Sequence, residues 1–289
     1  MPRVCHMIGV DIGGTNLLVG KVEAGVVVER KHEPIAGHGD FETVALQVCD
    51  AIKSISSENL DAVGIAVAGT VDARNGIVLR AQNLDWDNVP LAKTVSKQLQ
   101  CKVVIENDVT AAAWGEFKYG AGQEADSLFA VWIGTGIGGG LVLDGKIWRG
   151  PLGTGGEFGM SISEHDPQRT ERVLESFASR RGLQRVTGIT GLDTESIASS
   201  YNKDDEITKA VNDGANRIGS SIANVVTLLS LDTIVLGGGI VEALGEPFIH
   251  QIRLQFESDV FPPLCKSCVF KQTKLGPDAG LLGVVDLAG

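Results

Sequence analysis

Three short runs of this 289-residue chain place glycines, a hydroxyl and a carboxylate where they could hold phosphate. The first is Gly9-Val10-Asp11-Ile12-Gly13-Gly14-Thr15-Asn16, an apolar strand running into a hairpin turn. Without Cβ atoms in the way, successive backbone N–H groups in such a turn form a concave anion site. Asp11, at the strand's end, is placed to hold a cation directly or through water. The second run is Gly134-Thr135-Gly136-Ile137-Gly138-Gly139-Gly140, which satisfies G-x-G-x-x-G at Gly134, Gly136 and Gly139. A dinucleotide site needs that turn to open a helix. Here Leu141-Val142-Leu143-Asp144-Gly145 follows and reads as strand and turn. The dinucleotide reading is therefore rejected in favour of a second phosphate hairpin, with Thr135 and the glycine amides as donors. In the third run, Thr233-Ile234-Val235-Leu236-Gly237-Gly238-Gly239-Ile240, a strand leads through glycines into a helix, a place for a flat base and its ribose. Taken alone, the first run reads more simply as a hairpin turn, and the third is equally a compact strand-to-helix turn. No G-x-x-x-x-G-K-[ST] occurs, which excludes the P-loop kinases.

A fourth run, Glu106-Asn107-Asp108, stands at the head of an Ala-rich stretch. Asp108 carries two readings, the N-cap of that helix and a general base.

These residues need elements to position them. Met7 to Val10 is a strand, and residues 17–28 read as one or two more, broken at Gly20 and Gly25. Apolar residues at Val44, Val48 and Ile52 give residues 40–56 a helical period, with Asp40 as cap. Strands follow at 62–68 and 102–105, and helices at 91–99 and 108–118. The pattern then restarts with a strand at 128–133, a turn at 134–140 and a strand at 141–143. Beyond it come a long helix at 206–229, a strand at 232–236, a helix from Ile240 and a last helix at 277–287. Residues 14–22 and 139–147 align loosely, which predicts two similar α/β lobes. The expected division is 1–118, joined by a C-terminal helix at about 277–289, and 119–276.

Composition narrows the class. Lys plus Arg number 25 against 36 Asp plus Glu, a net charge of −11 with pI about 4.9, which argues against nucleic acid and anionic membranes as partners. Five scattered cysteines, Cys5, Cys49, Cys101, Cys265 and Cys268, read as reduced thiols. Cys265-Lys266-Ser267-Cys268 lacks the second pair that a structural zinc site needs. Residues 1–6 lack the apolar core of a signal peptide, and the longest uncharged run is broken by glycines, so a cytoplasmic protein is expected.

Two glycine hairpins followed by a strand–Gly–helix, in this order, resemble the actin-like ATPase superfamily, a two-lobed α/β fold related to ribonuclease H. The more specific resemblance is to the ROK family of sugar kinases and sugar-responsive repressors. It covers nearly the whole chain and rests on Asp11-Ile-Gly-Gly-Thr15, Asn83-Leu-Asp-Trp86, Glu106-Asn-Asp108 with the following Val-Thr-Ala-Ala-Ala113, the glycine run 134–140, Gly156-Glu157-Phe-Gly159 and Leu174-Glu175-Ser-Phe-Ala-Ser179. The resemblance implies ATP-dependent phosphorylation of a hexose, glucose above all, with Asp108 as general base. It implies sugar binding by Gly69, Asn83, Asn107, Asp108, Glu157 and Glu175. Nucleotide binding would fall to Asp11, Gly13, Gly14, Thr15, Asn16, Thr135, Gly136, Gly138, Gly238 and Gly239, with Asp11 holding Mg²⁺. A homodimer is also implied.

Two departures stand out. Where the family has Glu-x-Gly-His, this chain has Glu157-Phe158-Gly159-Met160, and Met offers only a weak acceptor. The cysteine-rich zinc loop should follow, yet residues 160–174 hold no Cys and only His165. No zinc is expected, and the loop must be held by packing or other hydrogen bonds. The sugar stays open among glucose, another hexose and an N-acylhexosamine, and the donor between ATP and polyphosphate. Outside the enzymes the rivals are a sugar-sensing repressor, disfavoured by the charge and by a first phosphate motif beginning at Gly9, and an inactive sugar binder.

Overall fold

The computed structural model describes residues 7–37, 40–56 and 60–289. Cys5 and the rest of residues 1–6 lie outside that range. Two compact units divide the chain, one formed by the residues up to Gln123 with Ile147–Gly155 and Pro277–Gly289, the other by Glu124–Lys146 and Gly156–Gly276.

The first unit opens with β1 (Met7–Ile12), β2 (Asn16–Glu23) and β3 (Val26–Pro34), an antiparallel meander. Gly20 does not break β2: a Cβ there would lie 2.8 Å from Leu281 Cδ1, so this glycine serves packing rather than a turn. Next come α1 (Phe41–Ile55), β4 (Ala62–Val67), the small sheet β5 (Thr70–Asp72), β6 (Ile77–Ala81) and β7 (Trp86–Val89), then α2 (Leu91–Leu99), β8 (Lys102–Asn107) and α3 (Asp108–Tyr119). The main sheet has the order β3-β2-β1-β4-β8, with β1, β4 and β8 parallel. Every residue of β4 is buried, as expected for a strand covered on both faces. Val44, Val48 and Ile52 of α1 cover one face. The chain's last helix, α10 (Asp278–Ala288), lies on the sheet beside α3. Close approach there is possible only because glycine stands at the contacts: a Cβ on Gly64 would be 2.3 Å from Val284 O, and one on Gly283 would be 1.8 Å from Ala111 O.

The second unit repeats the plan. Its sheet runs β11 (Lys146–Ile147), β10 (Ile137–Leu143), β9 (Leu128–Ile133), β12 (Thr233–Gly237), β13 (Val269–Gln272), with β9, β12 and β13 parallel. The glycine run is strand sooner than expected: β10 begins at Ile137, so the turn is confined to residues 134–136. Helices α4 (Glu175–Ala178), α5 (Arg180–Thr187), α6 (Thr194–Ser200), α7 (Asp205–Leu229), α8 (Gly239–Leu244) and α9 (Glu246–Asp259) complete the unit. The core is Val131, Ile133, Ile218, Ile222, Ile234, Leu236 and Phe256 with their neighbours. No helix among the described residues is long and apolar enough to cross a membrane.

Candidate active site

In the first unit the chemistry-bearing residues gather where the parallel strands end, the edge at which α/β sheets hold ligands. Asp11 is the penultimate residue of β1, Gly69 lies two residues past β4, and Asn107 closes β8. Register carries Ile12 to Val67 and Val67 to Asn107, so the three strand ends are level.

Asn107 is the hub. Its Oδ1 accepts from the Thr110 N–H at 2.9 Å and caps α3. Its Nδ2 donates to Gly69 O at 3.0 Å and to Asp108 Oδ1 at 2.9 Å. The cap expected of Asp108 is thus supplied by the residue before it; Asp108 is the first helical residue, its carboxylate oriented by the neighbouring amide. An aspartate in a first turn also faces the positive end of the helix. Below this hub lies Glu106, 2 % exposed, with Oε1 accepting from the Asn107 N–H at 3.0 Å and Oε2 from Arg149 Nε at 2.6 Å. Burial raises its pKa above the ordinary value, against the pull of Arg149.

The first hairpin turn is closed by Gly13 N–H donating to Asn16 O at 2.9 Å, and Asn16 Nδ2 donates to Thr15 Oγ1 at 3.1 Å. Gly14 abuts Asn83, since a Cβ on Gly14 would lie 2.8 Å from Asn83 Cβ. The structure thereby sets a residue of the expected sugar set against the expected phosphate turn. The Asp11 side chain forms no hydrogen bond or ion pair with any described residue, and burial pushes its carboxyl up to about 6.

In the second unit the other two glycine runs meet. A Cβ on Gly238 would lie 2.6 Å from Ile133 O, so the turn after β12 packs against the residue that leads into Gly134. Thr194, at the start of α6, stands beside Gly239. The second hairpin is gripped from α4 and α5. Gly134 N–H donates to Gly136 O at 2.9 Å, Ile137 N–H to Glu175 Oε2 at 2.7 Å, and Arg180 N–H to Gly134 O at 2.9 Å. The Glu175 carboxylate therefore holds the hairpin. Gly138 lies in β10, past the turn, and Thr135 is exposed at the tip. Glu157 precedes the 3₁₀ turn Phe158–Met160 and is exposed.

The loop that follows Met160 is fastened by Arg217 of α7, which the sequence did not single out. Arg217 Nη1 donates to Ser163 O at 2.9 Å, its Nε to Asp213 Oδ2 at 2.9 Å, and its guanidinium lies 4.1 Å from the Phe177 ring centre. Ile162 pairs with Val173 across the loop. Among the described residues no three His, Cys, Asp or Glu side chains cluster as metal ligands.

A model of the ROK family matches residues 7–289. The chain is 28% identical over 306 aligned positions to a glucokinase of Halalkalibacterium halodurans, covering 96% of this chain and 92% of that one. It is 29% identical to a glucokinase of Thermotoga maritima over 312 positions, covering 99% and 98%. Among solved structures, a ROK family glucokinase of Streptomyces griseus in complex with glucose and AMPPNP superposes with a TM-score of 0.85 at 30% identity, covering 98% of this chain and 99% of that one. The fold is the mixed α/β fold of the actin-like ATPases.

Proposed function

As this chain belongs to the ROK family and is a sugar kinase, we propose that it transfers the γ-phosphoryl group of ATP to a hexose hydroxyl, converting glucose to glucose 6-phosphate. The observation that carries the proposal is the Asn107 hub. It ties the Asp108 carboxylate, the Gly69 carbonyl and the cap of α3 into one rigid group at the ends of parallel strands. A carboxylate so oriented serves as the general base: Asp108 takes the proton from the sugar hydroxyl as that oxygen attacks the γ-phosphorus, and ADP leaves. Such assistance is worth ~10²–10⁴ in rate. Because the phosphoryl transition state is loose, positioning and charge neutralisation supply most of the rest.

Asn83, Asn107, Glu157 and Glu175 are assigned to the sugar hydroxyls. Amides and carboxylates that pair with vicinal hydroxyls reject analogues lacking one of them. The two hairpins, at 13–16 and 134–136, are assigned to the phosphates, and Gly238 and Gly239 to the nucleoside. The AMPPNP complex of the Streptomyces griseus relative supports ATP as donor. Magnesium fits at Asp11, whose carboxylate lacks any partner among the described residues and is pushed up to about 6 by burial. Carboxylate and phosphate oxygens are the ligands that cation prefers, and when bound it would offset phosphate charge.

An assay of ADP formation with ATP–Mg²⁺ across glucose, mannose, fructose, allose and N-acetylmannosamine, repeated with polyphosphate, tests the reading. Turnover with glucose and ATP is expected. Preference for an N-acylhexosamine or for polyphosphate would replace the substrate or the donor, and silence on every sugar would leave an inactive binder.

A further inference from the structure

A phosphate hairpin binds through free backbone N–H groups, and the second hairpin has one of them already engaged. Its Ile137 N–H is already taken by the Glu175 carboxylate at 2.7 Å, so an incoming polyphosphate meets a negative charge at its edge. The chain's net charge of −11 adds no general attraction. At the tip of the same hairpin stands one guanidinium. Arg180 Nη2 donates to Thr135 Oγ1 at 3.1 Å, and among the described residues this is its side chain's single hydrogen bond. The backbone fixes it there: Arg180 N–H donates to Gly134 O at 2.9 Å. The preceding residue, Ser179, is fully buried, caps α5 through Gly182 N–H at 3.0 Å and donates to Glu175 O at 2.8 Å. Asp193, a carboxylate near enough to feel Arg180's charge, is engaged with Ser196 at the start of α6.

We propose that Arg180 is a phosphate-contacting residue, its guanidinium gripping the phosphate tail of the donor nucleotide beside Thr135. The proposal rests on the kinase reading above and adds to it a residue outside the glycine motifs. A guanidinium offers five N–H donors in a planar fork, and one bond to a hydroxyl leaves the rest for phosphate oxygens. Charge-assisted, forked bonds to phosphate are about twice as strong as neutral ones.

The test is calorimetric binding of adenosine, ADP and ATP, each with and without Mg²⁺, to the wild type, Arg180→Met and Arg180→Lys, with glucose binding as the control. In Arg180→Met, ATP affinity is expected to fall about tenfold or more, adenosine and glucose affinities to stay within twofold, and KM for ATP to rise with the loss. Arg180→Lys is expected to recover part of the ATP affinity, since it keeps the charge and loses the fork. ATP affinity within twofold of wild type in Arg180→Met overturns the proposal. A parallel fall for adenosine also overturns it, because Arg180 would then only be shaping the hairpin. If the wild type binds no ATP, the kinase reading itself fails and takes this proposal with it.

Discussion

Arg149 reaches the same oxygen of Glu106 with two nitrogens, Nε at 2.6 Å and Nη2 at 2.5 Å. The pair joins residues 147–155 to the strand end that carries Asn107 and Asp108. Glu106 is buried, so its carboxylate depends on this partner, whereas the Arg149 side chain is 36% exposed and keeps some water. Removing the arginine in Arg149→Met is expected to cost about 1–3 kcal/mol. The pH dependence has a definite sign. Glu106's folded pKa lies above its ordinary value, so the native state holds the proton more tightly. That contribution is full below the unfolded pKa and is lost as pH rises through the folded one. Without Arg149 the folded pKa climbs further, so the variant's deficit in Tm should be larger at pH 8 than at pH 5. The double variant Glu106→Gln, Arg149→Met should lose that pH dependence. Thermal melts at both pH values check the pattern.

Asp108→Asn keeps the shape of the side chain and its neighbour's hydrogen bond while removing the base. Turnover is expected to fall ~10²–10⁴-fold, with glucose affinity within a few-fold of wild type. Steady-state rates beside calorimetric glucose binding separate the two. A variant that retains near-normal turnover would remove Asp108 from the chemistry.

Arg217 fastens the 160–174 loop by hydrogen bonds and ring contact. Arg217→Met should speed amide hydrogen exchange in that loop, while exchange in β9 and β12 stays slow. Purified protein should contain no stoichiometric zinc by elemental analysis. A chelator specific for zinc should leave the exchange pattern unchanged.

The α3–α10 contact tolerates no added atoms. A Cβ on Gly283 would sit 1.8 Å from Ala111 O, within backbone that has no rotamer to move. Gly283→Ala is expected to destabilise by about 3 kcal/mol. Gly134→Ala is the comparison, because nothing lies within 4 Å of a Cβ there, and its unfolding midpoint should stay close to wild type. Urea unfolding of both variants measures the difference.

Burial pushes the Cys49 thiol up to about 11 and the Cys268 thiol up to about 12. Thiolate is the reactive form, so neither should be alkylated at pH 8 in the native protein. Both should label once denaturant is added. Peptide mass spectrometry after a timed iodoacetamide pulse provides the readout.

What the sequence reveals about the site is local. Gly13, Thr15, Thr135 and Asp108 are legible because a turn or a helix start is written in adjacent residues. The helix cap falls at Asn107, one residue before the Asp108 that the sequence offers for it, because asparagine and aspartate compete for that position on nearly equal terms. Gly20 misled for a different reason: its small size answers Leu281, far along the chain. The tip sheet β5–β7 and the short helices α4 to α6 have too few residues for a periodic signal. Glu106 with Arg149, Arg217 with Ser163, and Arg180 with Thr135 escaped because each pair is 43 to 54 residues apart in sequence. Charge pairs of that separation leave no spacing to read.

The placement of α10 carries a consequence for biosynthesis. Its 11 residues are the lid of the first sheet, nearly all turned inward, yet they are translated after the whole second unit. While the ribosome is still reading that unit, Gly9 and Gly64 face no partner, and the strip of the nascent sheet beside α3 that α10 will cover is bare apolar surface. The first unit stays half-clothed until α10 has emerged, and that interval is when a chaperone would find it.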